Sequence, residues 1–212
     1  MTTGTRERQA TMVRPRLAVL LSGSGSTLQN LIDRIAAGSL AAEIAGVVSS
    51  RADAFGLQRA KNVGLNTALN RDDPFAEIRE WKVDWVICAG WLHLLTVPDD
   101  FRWKVLNVHP SLLPAFGGRG MYGHRVHAAV LAAGCKLSGC TVHFVDGSYD
   151  TGPIVAQHSV AVDDDETVAS LAEKVQATER ELYPRAIAAL SRMSWRLDGR
   201  RVIGLEFRSD AS

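Results

Sequence analysis

Three observations predict an α/β fold built on a doubly wound, mostly parallel sheet flanked by helices. Strand-like apolar runs alternate with helical periodicity from Arg16 to Ala89, the pattern of successive βαβ units. The most apolar run, Val83 to Ala89, centres on Val86, Ile87 and Cys88, and such runs suit parallel strands buried on both faces. The chain has 212 residues, 46% hydrophobic and 22% charged, enough to bury its own core without staples. No repeat, low-complexity tract or linker divides it, so a single domain with right-handed crossovers is expected.

Each element follows from local signals. Arg16 to Leu21 reads as a buried strand that leads into Ser22-Gly23-Ser24-Gly25-Ser26-Thr27, a loop of small residues. Leu28, Leu31, Ile32 and Ile35 then fall at helical spacing, so a helix opens near Thr27 and Gly38 stops it. Ala42 to Val48 is a second strand and Phe55 to Val63 a second helix, ended by Gly64. Leu65 to Leu69 is a short strand, and Phe75 to Trp81 a third helix. Beyond Ala89 the character changes. Val105 to His109 is a short strand, Gly117 to Gly123 a flexible loop, and His124 to Ala133 a helix. Thr141 to Val145 and Pro153 to Val162 are extended segments around a turn at Asp146 to Gly152. Asp163 to Glu166 stand where a helix N-terminus favours negative charge. The helix that follows buries Val168, Leu171, Val175, Thr178 and Leu182. Asp198-Gly199 signals a hairpin turn. Residues 1–15 are expected to form a flexible arm, and residues 191–212 a C-terminal extension holding that hairpin.

Composition excludes several classes. The 24 Lys and Arg against 23 Asp and Glu give a net charge of +1, which argues against a dedicated nucleic-acid binder or a polybasic membrane protein. The longest apolar stretch, Trp85 to Leu92, is far short of the roughly 20 residues of a membrane span. Met1 to Arg16 lacks the apolar core of a signal peptide. Cys88, Cys135 and Cys140 are odd in number, without metal-like spacing, and read as thiols of a reducing compartment. A cytoplasmic protein with no nucleic-acid or membrane partner is therefore expected. No metal is expected either, because the histidines form no His-Glu-x-x-His pattern. His124 and His127, three apart, read as partly exposed helix residues. The Gly-x-Ser-x-Gly elbow of serine hydrolases is absent.

The residues that can carry chemistry cluster in four places. The Ser22 to Thr27 loop is either an anion cradle at a helix start or a tight βα turn. It matches neither the dinucleotide fingerprint nor the Walker lysine loop, so a bound anion would belong to a mononucleotide or sugar phosphate. In Asn107-Val108-His109-Pro110-Ser111-Leu112-Leu113-Pro114, Asn107 and His109 share one face of an extended segment. They offer an amide donor and a titratable ring beside prolines that fix the backbone; a structural histidine is the competing reading. Asp150 sits in a glycine-containing turn, where a carboxylate is most often an Asx turn, and His143 on the preceding strand can reach the same space. Gln176 and Glu179 lie three apart on one helix face, by default a solvated surface.

The motifs at Leu20 to Gln29, Asn107 to Pro114, and Thr141-Val142-His143-Phe144-Val145 with Asp150-Thr151-Gly152-Pro153 are together similar to those of the phosphoribosylglycinamide formyltransferase family. Asp53 to Leu57 and Val175 to Glu179 add to the likeness, which extends from about Arg16 to Leu190. The resemblance implies a Rossmann-like formyltransferase fold, with residues 16–100 as the ribonucleotide-phosphate half and residues 101–190 as the catalytic and folate half. It implies formyl transfer from the co-substrate 10-formyltetrahydrofolate to the amine of glycinamide ribonucleotide, in purine biosynthesis, without a metal. At the matching positions it implies a catalytic trio of Asn107, His109 and Asp150, with Asp150 holding His109 cationic and His143 supporting Asp150. Gly25, Ser26 and Thr27 would hold the phosphate, Glu179 the ribose hydroxyls with Gln176 nearby, and Leu92, His93, Leu94 and Leu95 with Asn107 the folate. His93 stands where relatives commonly carry arginine. A homodimer through a sheet edge or helix is compatible with the sequence. Formyltetrahydrofolate deformylases and methionyl-tRNA formyltransferases carry extra domains, for which the 15 residues before and 22 after this stretch are too few. The remaining alternative is a phosphate-ligand-binding module that keeps the fold without catalysis.

Overall fold

The computed structural model describes residues 14–207, so nearly all of the expected N-terminal arm, and residues 208–212, lie outside the described residues. The strands are β1 (Arg16–Leu21), β2 (Glu43–Ser49), β3 (Asn66–Leu69), β4 (Trp85–Cys88), β5 (Val105–His109), β6 (Leu137–Phe144), β7 (Ile154–Ala161), β8 (Arg196–Asp198) and β9 (Arg201–Ile203). Between them run α1 (Ser26–Ala36), α2 (Phe55–Asn62), α3 (Phe75–Glu80), α4 (His124–Ala132) and α5 (Val168–Arg192). The strands form one sheet in the order β3-β2-β1-β4-β5-β6-β7-β9-β8. β1 pairs in parallel with β2 and β4, β2 with β3, and β4 with β5, whereas β6 runs antiparallel to both β5 and β7. The sheet is thus mostly parallel, with β6 reversed beside the parallel half and β8 reversed at the far edge.

The central strand shows why these residues fold this way. Leu17 to Leu21 of β1 are all fully buried, and their side chains alternate between faces as strand geometry dictates. Leu17, Val19 and Leu21 pack with Leu28 and Leu31 of α1 and Leu171, Val175 and Ile187 of α5. Ala18 and Leu20 pack with Phe75 and Ile78 of α3 and with Phe101. Truncating one such leucine to alanine costs about 2–5 kcal/mol. Sheet order reverses at β1, since β2 lies on one side and β4 on the other. In open α/β sheets the crevice at the carboxyl ends of the strands flanking such a reversal is where ligands bind.

Two expectations need correction. The acidic group at residues 163–166 does not lie in the first turn of α5. The cap is Thr167, whose hydroxyl accepts from the Ser170 N–H (3.1 Å) while the Ser170 hydroxyl accepts from the Thr167 N–H (3.0 Å). That capping box already satisfies the helix start, and Asp163 and Glu166 pair with Lys174 instead. The turn between β8 and β9 is formed by Gly199 and Arg200, one residue later than the Asp-Gly signal suggested, because Asp198 pairs with Arg201. β9 joins the sheet through one pairing with β7, and Trp195 packs its ring 5.2 Å from that of Phe144. Among the described residues no helix is long and apolar enough to cross a membrane.

Candidate active site

The loop after β1 runs into α1, whose start at Ser26 has no side-chain cap. The first N–H groups of α1 are thereby left to an incoming anion. Gly25 (φ +69°) lies so close to α2 that a Cβ there would stand 2.5 Å from the Gly56 Cα, and the Gly56 N–H donates to the Gly23 carbonyl (3.0 Å). The Asp53 to Leu57 segment therefore contributes a glycine that lets two helix starts meet. Arg59 of α2 donates to the Ser24 carbonyl (2.9 Å) and to Gln29 (3.1 Å), which brings a cation beside the loop. Ser22, buried, ties the loop to the next strand end. Its N–H donates to the Gly90 carbonyl (3.0 Å), and its hydroxyl accepts from Ser50 (2.7 Å) and from the Leu92 N–H (3.1 Å).

Asn107 and His109 stand two apart at the end of β5, and antiparallel pairing sets His143 opposite Asn107 and Thr141 opposite His109. His143 Nδ1 donates to the Phe144 carbonyl (2.8 Å), so its Nε2 accepts from the Asn107 amide (3.1 Å). This fixes the amide's orientation and leaves its second N–H without a partner among the described residues. His109 Nε2 donates to the Phe116 carbonyl (2.9 Å), and Nδ1 lies 3.4 Å from Asp150 Oδ2. Asp150 Oδ2 also accepts the Gly118 N–H (2.9 Å), and Oδ1 lies 3.6 Å from His143 Nε2. Asp150 reaches this position at φ +56°, a conformation that Asp tolerates better than most residues. Gly152 then packs against the end of β6, where a Cβ would stand 1.6 Å from the Phe144 carbonyl oxygen.

Sequence reasoning missed the residues that hold the turn after His109. The Thr141 hydroxyl donates to the Ser111 carbonyl (2.7 Å) and accepts from the Leu113 N–H (3.0 Å) and from Gln157 (2.9 Å). Gln157 also donates to the Leu113 carbonyl (2.9 Å). Thr141 carried a signal, since it lies two before His143 and so on the same face. Gln157 carried none, because only the β6–β7 register sets it opposite Thr141.

Burial decides the charges. It pushes His109 below its ordinary pKa, and Asp150 opposes it without prevailing. The expected cationic His109 is therefore corrected to a neutral ring in the resting protein at pH 7. Burial alone would raise Asp150, but contact with His143, the His109 charge and the Gly118 N–H together hold its carboxyl below the ordinary value. Glu179 is pushed up to about 7 by burial, against a weaker pull from Arg180.

These groups border two adjoining spaces. A pocket of about 350 Å³ is lined by Thr27, Leu92, His109, Gln176 and Glu179, with Asn107 and Asp150. A cleft of about 70 Å³ is lined by His93, Leu94, Leu95 and His143, again with Asn107 and Asp150. Leu92 thus faces the larger pocket rather than the cleft, and Gly25 and Ser26 line neither. Glu179 is half-buried in the pocket wall, not on a solvated face, whereas Gln176 is exposed. His127, expected to be partly exposed, is buried and lines the same pocket. A further cavity of about 530 Å³ lies at the opposite end of the strands, among Trp85, Trp103 and Trp195, and shares none of these groups. Among the described residues no cluster of three or more His, Cys, Asp or Glu is placed to hold a metal ion.

Comparison with known proteins gives this geometry a lineage. Residues 15–187 match the family model described as formyl transferase. The chain is 40% identical over 206 residues to the chloroplastic phosphoribosylglycinamide formyltransferase of Vigna unguiculata, covering 90% of this chain and 66% of that protein. It is 37% identical to the human trifunctional purine biosynthetic protein adenosine-3, covering 82% of this chain and 18% of that longer protein. The crystal structure of glycinamide ribonucleotide transformylase 1 from Symbiobacterium toebii superposes with a TM-score of 0.80 at 37% identity, covering 91% of this chain and 95% of that one. With its motifs assembled at the carboxyl ends of the strands as described, the chain belongs to the formyl transferase family, among the phosphoribosylglycinamide formyltransferases.

Proposed function

We propose that this protein transfers the formyl group of 10-formyltetrahydrofolate to the primary amine of glycinamide ribonucleotide, giving formylglycinamide ribonucleotide and tetrahydrofolate. The observation that carries this reading is the shared wall. Asn107 and Asp150 line both the larger pocket and the cleft, so two substrates can meet at one set of polar groups. The ribonucleotide occupies the pocket, with its phosphate toward the α1 start at Ser26 and Thr27 and its ribose hydroxyls at Glu179. The folate occupies the cleft along His93, Leu94 and Leu95.

The amine attacks the formyl carbon, and negative charge develops on the formyl oxygen. The unpartnered Asn107 N–H is the preorganised donor for that oxygen, a contribution of about 3–4 kcal/mol where such donors have been removed. His109 supplies a second N–H once Nε2 exchanges the Phe116 carbonyl for the formyl oxygen. The nitrogen that attacked must lose a proton and the folate nitrogen that leaves must gain one. His109 Nδ1 and Asp150 form the relay for that transfer, directly or through a water. No covalent link to the protein forms.

Steady-state transfer with the ribonucleotide, water and tRNA as competing acceptors tests the reading. Formyl-ribonucleotide should dominate the products. Release of free formate as the main product would instead favour a deformylase, and no turnover of the formyl-folate would favour a binding module.

A further inference from the structure

Helix α4 carries two histidines of opposite character. His124 is exposed, but His127 is only 2% exposed, on the buried face with Val126 and Val130. Its Nδ1 has no hydrogen-bond partner among the described residues. Buried polar side-chain atoms are nearly always paired, and each exception calls for a cause. Among the described residues only three such atoms are unpaired, on Trp91, His127 and Ser138. Trp91 and His127 both line the larger pocket. Two of the three residues that carry such atoms thus line this pocket, and His127 does so as a buried polar side chain.

A purely structural role suits His127 poorly, since leucine would fill the same helix face and leave no polar atom unpaired. Burial, with the charges of His124 and His109 added, holds the ring below its ordinary pKa. It is therefore neutral at pH 7, with one donor and one acceptor nitrogen. A neutral ring is a poor partner for a phosphate and a good one for a hydroxyl or amide. His109 lines the same pocket, so His127 shares the space that holds the reacting groups.

We propose that His127 is a binding residue for the formyl acceptor. It hydrogen-bonds an uncharged polar group of the ribonucleotide between the ribose hydroxyls at Glu179 and the amine at His109. This rests on the formyl-transfer reading above.

The test compares the full chain with His127→Leu and His127→Gln in steady-state transfer and in thermal unfolding. His127→Leu should raise KM for the ribonucleotide about tenfold, the size of one lost neutral hydrogen bond, and leave KM for the folate within about twofold. Its unfolding midpoint should not fall. His127→Gln, which restores a donor and an acceptor, should recover most of the lost affinity. An unchanged ribonucleotide KM in both variants, or an equal rise for both substrates, would overturn the proposal. Should the wild type show no transfer, the formyl-transfer reading is what fails. Calorimetric titration of wild type and His127→Gln or Leu with ribonucleotide then decides this one: a tenfold loss in the leucine variant supports it, and equal affinity or no binding by the wild type overturns it.

Discussion

Replacing Glu179 with glutamine separates a binding role from a structural one through pH. Burial holds this carboxyl at about 7 against an ordinary 4.5. Between these values the folded protein binds a proton that the unfolded chain has lost, so this residue makes stability fall as pH rises from 4.5 to 7. Above pH 7 the folded state carries the full cost of a buried carboxylate, about 3 kcal/mol at about 1.4 kcal/mol per pKa unit. Glu179→Gln removes that cost and keeps the shape of the protonated acid. Because about 1 kcal/mol shifts the midpoint of a domain this size by about 2–4 °C, the variant should melt about 6–12 °C above wild type at pH 8.5. At pH 4 the two should coincide. His109 and His127, whose pKa values burial depresses, destabilise both proteins alike as pH falls through 6.5, and so cancel in the difference. Differential scanning calorimetry from pH 4 to 8.5 reads this directly. With Glu179 proposed to bind the ribose hydroxyls, the added stability should come with a ribonucleotide KM at least tenfold higher. A midpoint difference independent of pH, or a less stable variant at pH 8.5, would refute the reasoning.

Three other substitutions probe the remaining parts. Asp150→Asn should lower kcat at least a hundredfold with little change in unfolding midpoint, since Asn tolerates the positive φ of this turn; near-normal turnover would remove Asp150 from the proton relay. Thr141→Val leaves the Ser111 carbonyl and Leu113 N–H unpaired and should cost about 2–4 kcal/mol in urea unfolding, with kcat falling because His109 heads that turn. Gly152→Ala forces a methyl group onto the Phe144 carbonyl and should cost more than about 3 kcal/mol, visible as lost soluble yield or a collapsed denaturation midpoint.

The parallel half was legible because period-two and period-3.6 patterns are local. The alternation in Leu17 to Leu21 that places residues on two faces of the sheet can be read directly from the chain. What could not be read depends on pairings far apart in sequence. Leu137 begins β6 because it pairs with Ala161, not because its own neighbours favour a strand. In the site, Asn107 and His109 were legible as a pair from their spacing. The approach of Asp150 to His109 was not, since it rests on the β5–β6 register, a positive φ and the Gly118 N–H. Charge states were the least legible. His109 beside an aspartate suggests a cation, and only the depth of its burial reverses that sign. His127 misled for a related reason, because its helix offers no period strong enough to tell an inward histidine from an outward one.

That reversal bears on how the site works. A histidine fully cationic at rest cannot accept the proton that the attacking amine must lose, and one fixed as neutral cannot stabilise the oxyanion with charge. His109 sits between these limits, because burial lowers its pKa while Asp150 raises it. Its Nδ1 faces a carboxylate held ionised, so a proton arriving there is met by a ready counter-charge. The resulting imidazolium turns its Nε2–H into a charge-assisted donor, roughly twice as strong as a neutral one. In the proposed transfer, proton uptake at one nitrogen would thus strengthen oxyanion binding at the other, at the step where both are needed. In the resting protein the 116–118 segment occupies both partners, with the Phe116 carbonyl on His109 and the Gly118 N–H on Asp150. In the proposed transfer, substrate that displaced the Phe116 carbonyl would free the donor and bring the ring to the formyl oxygen in one movement.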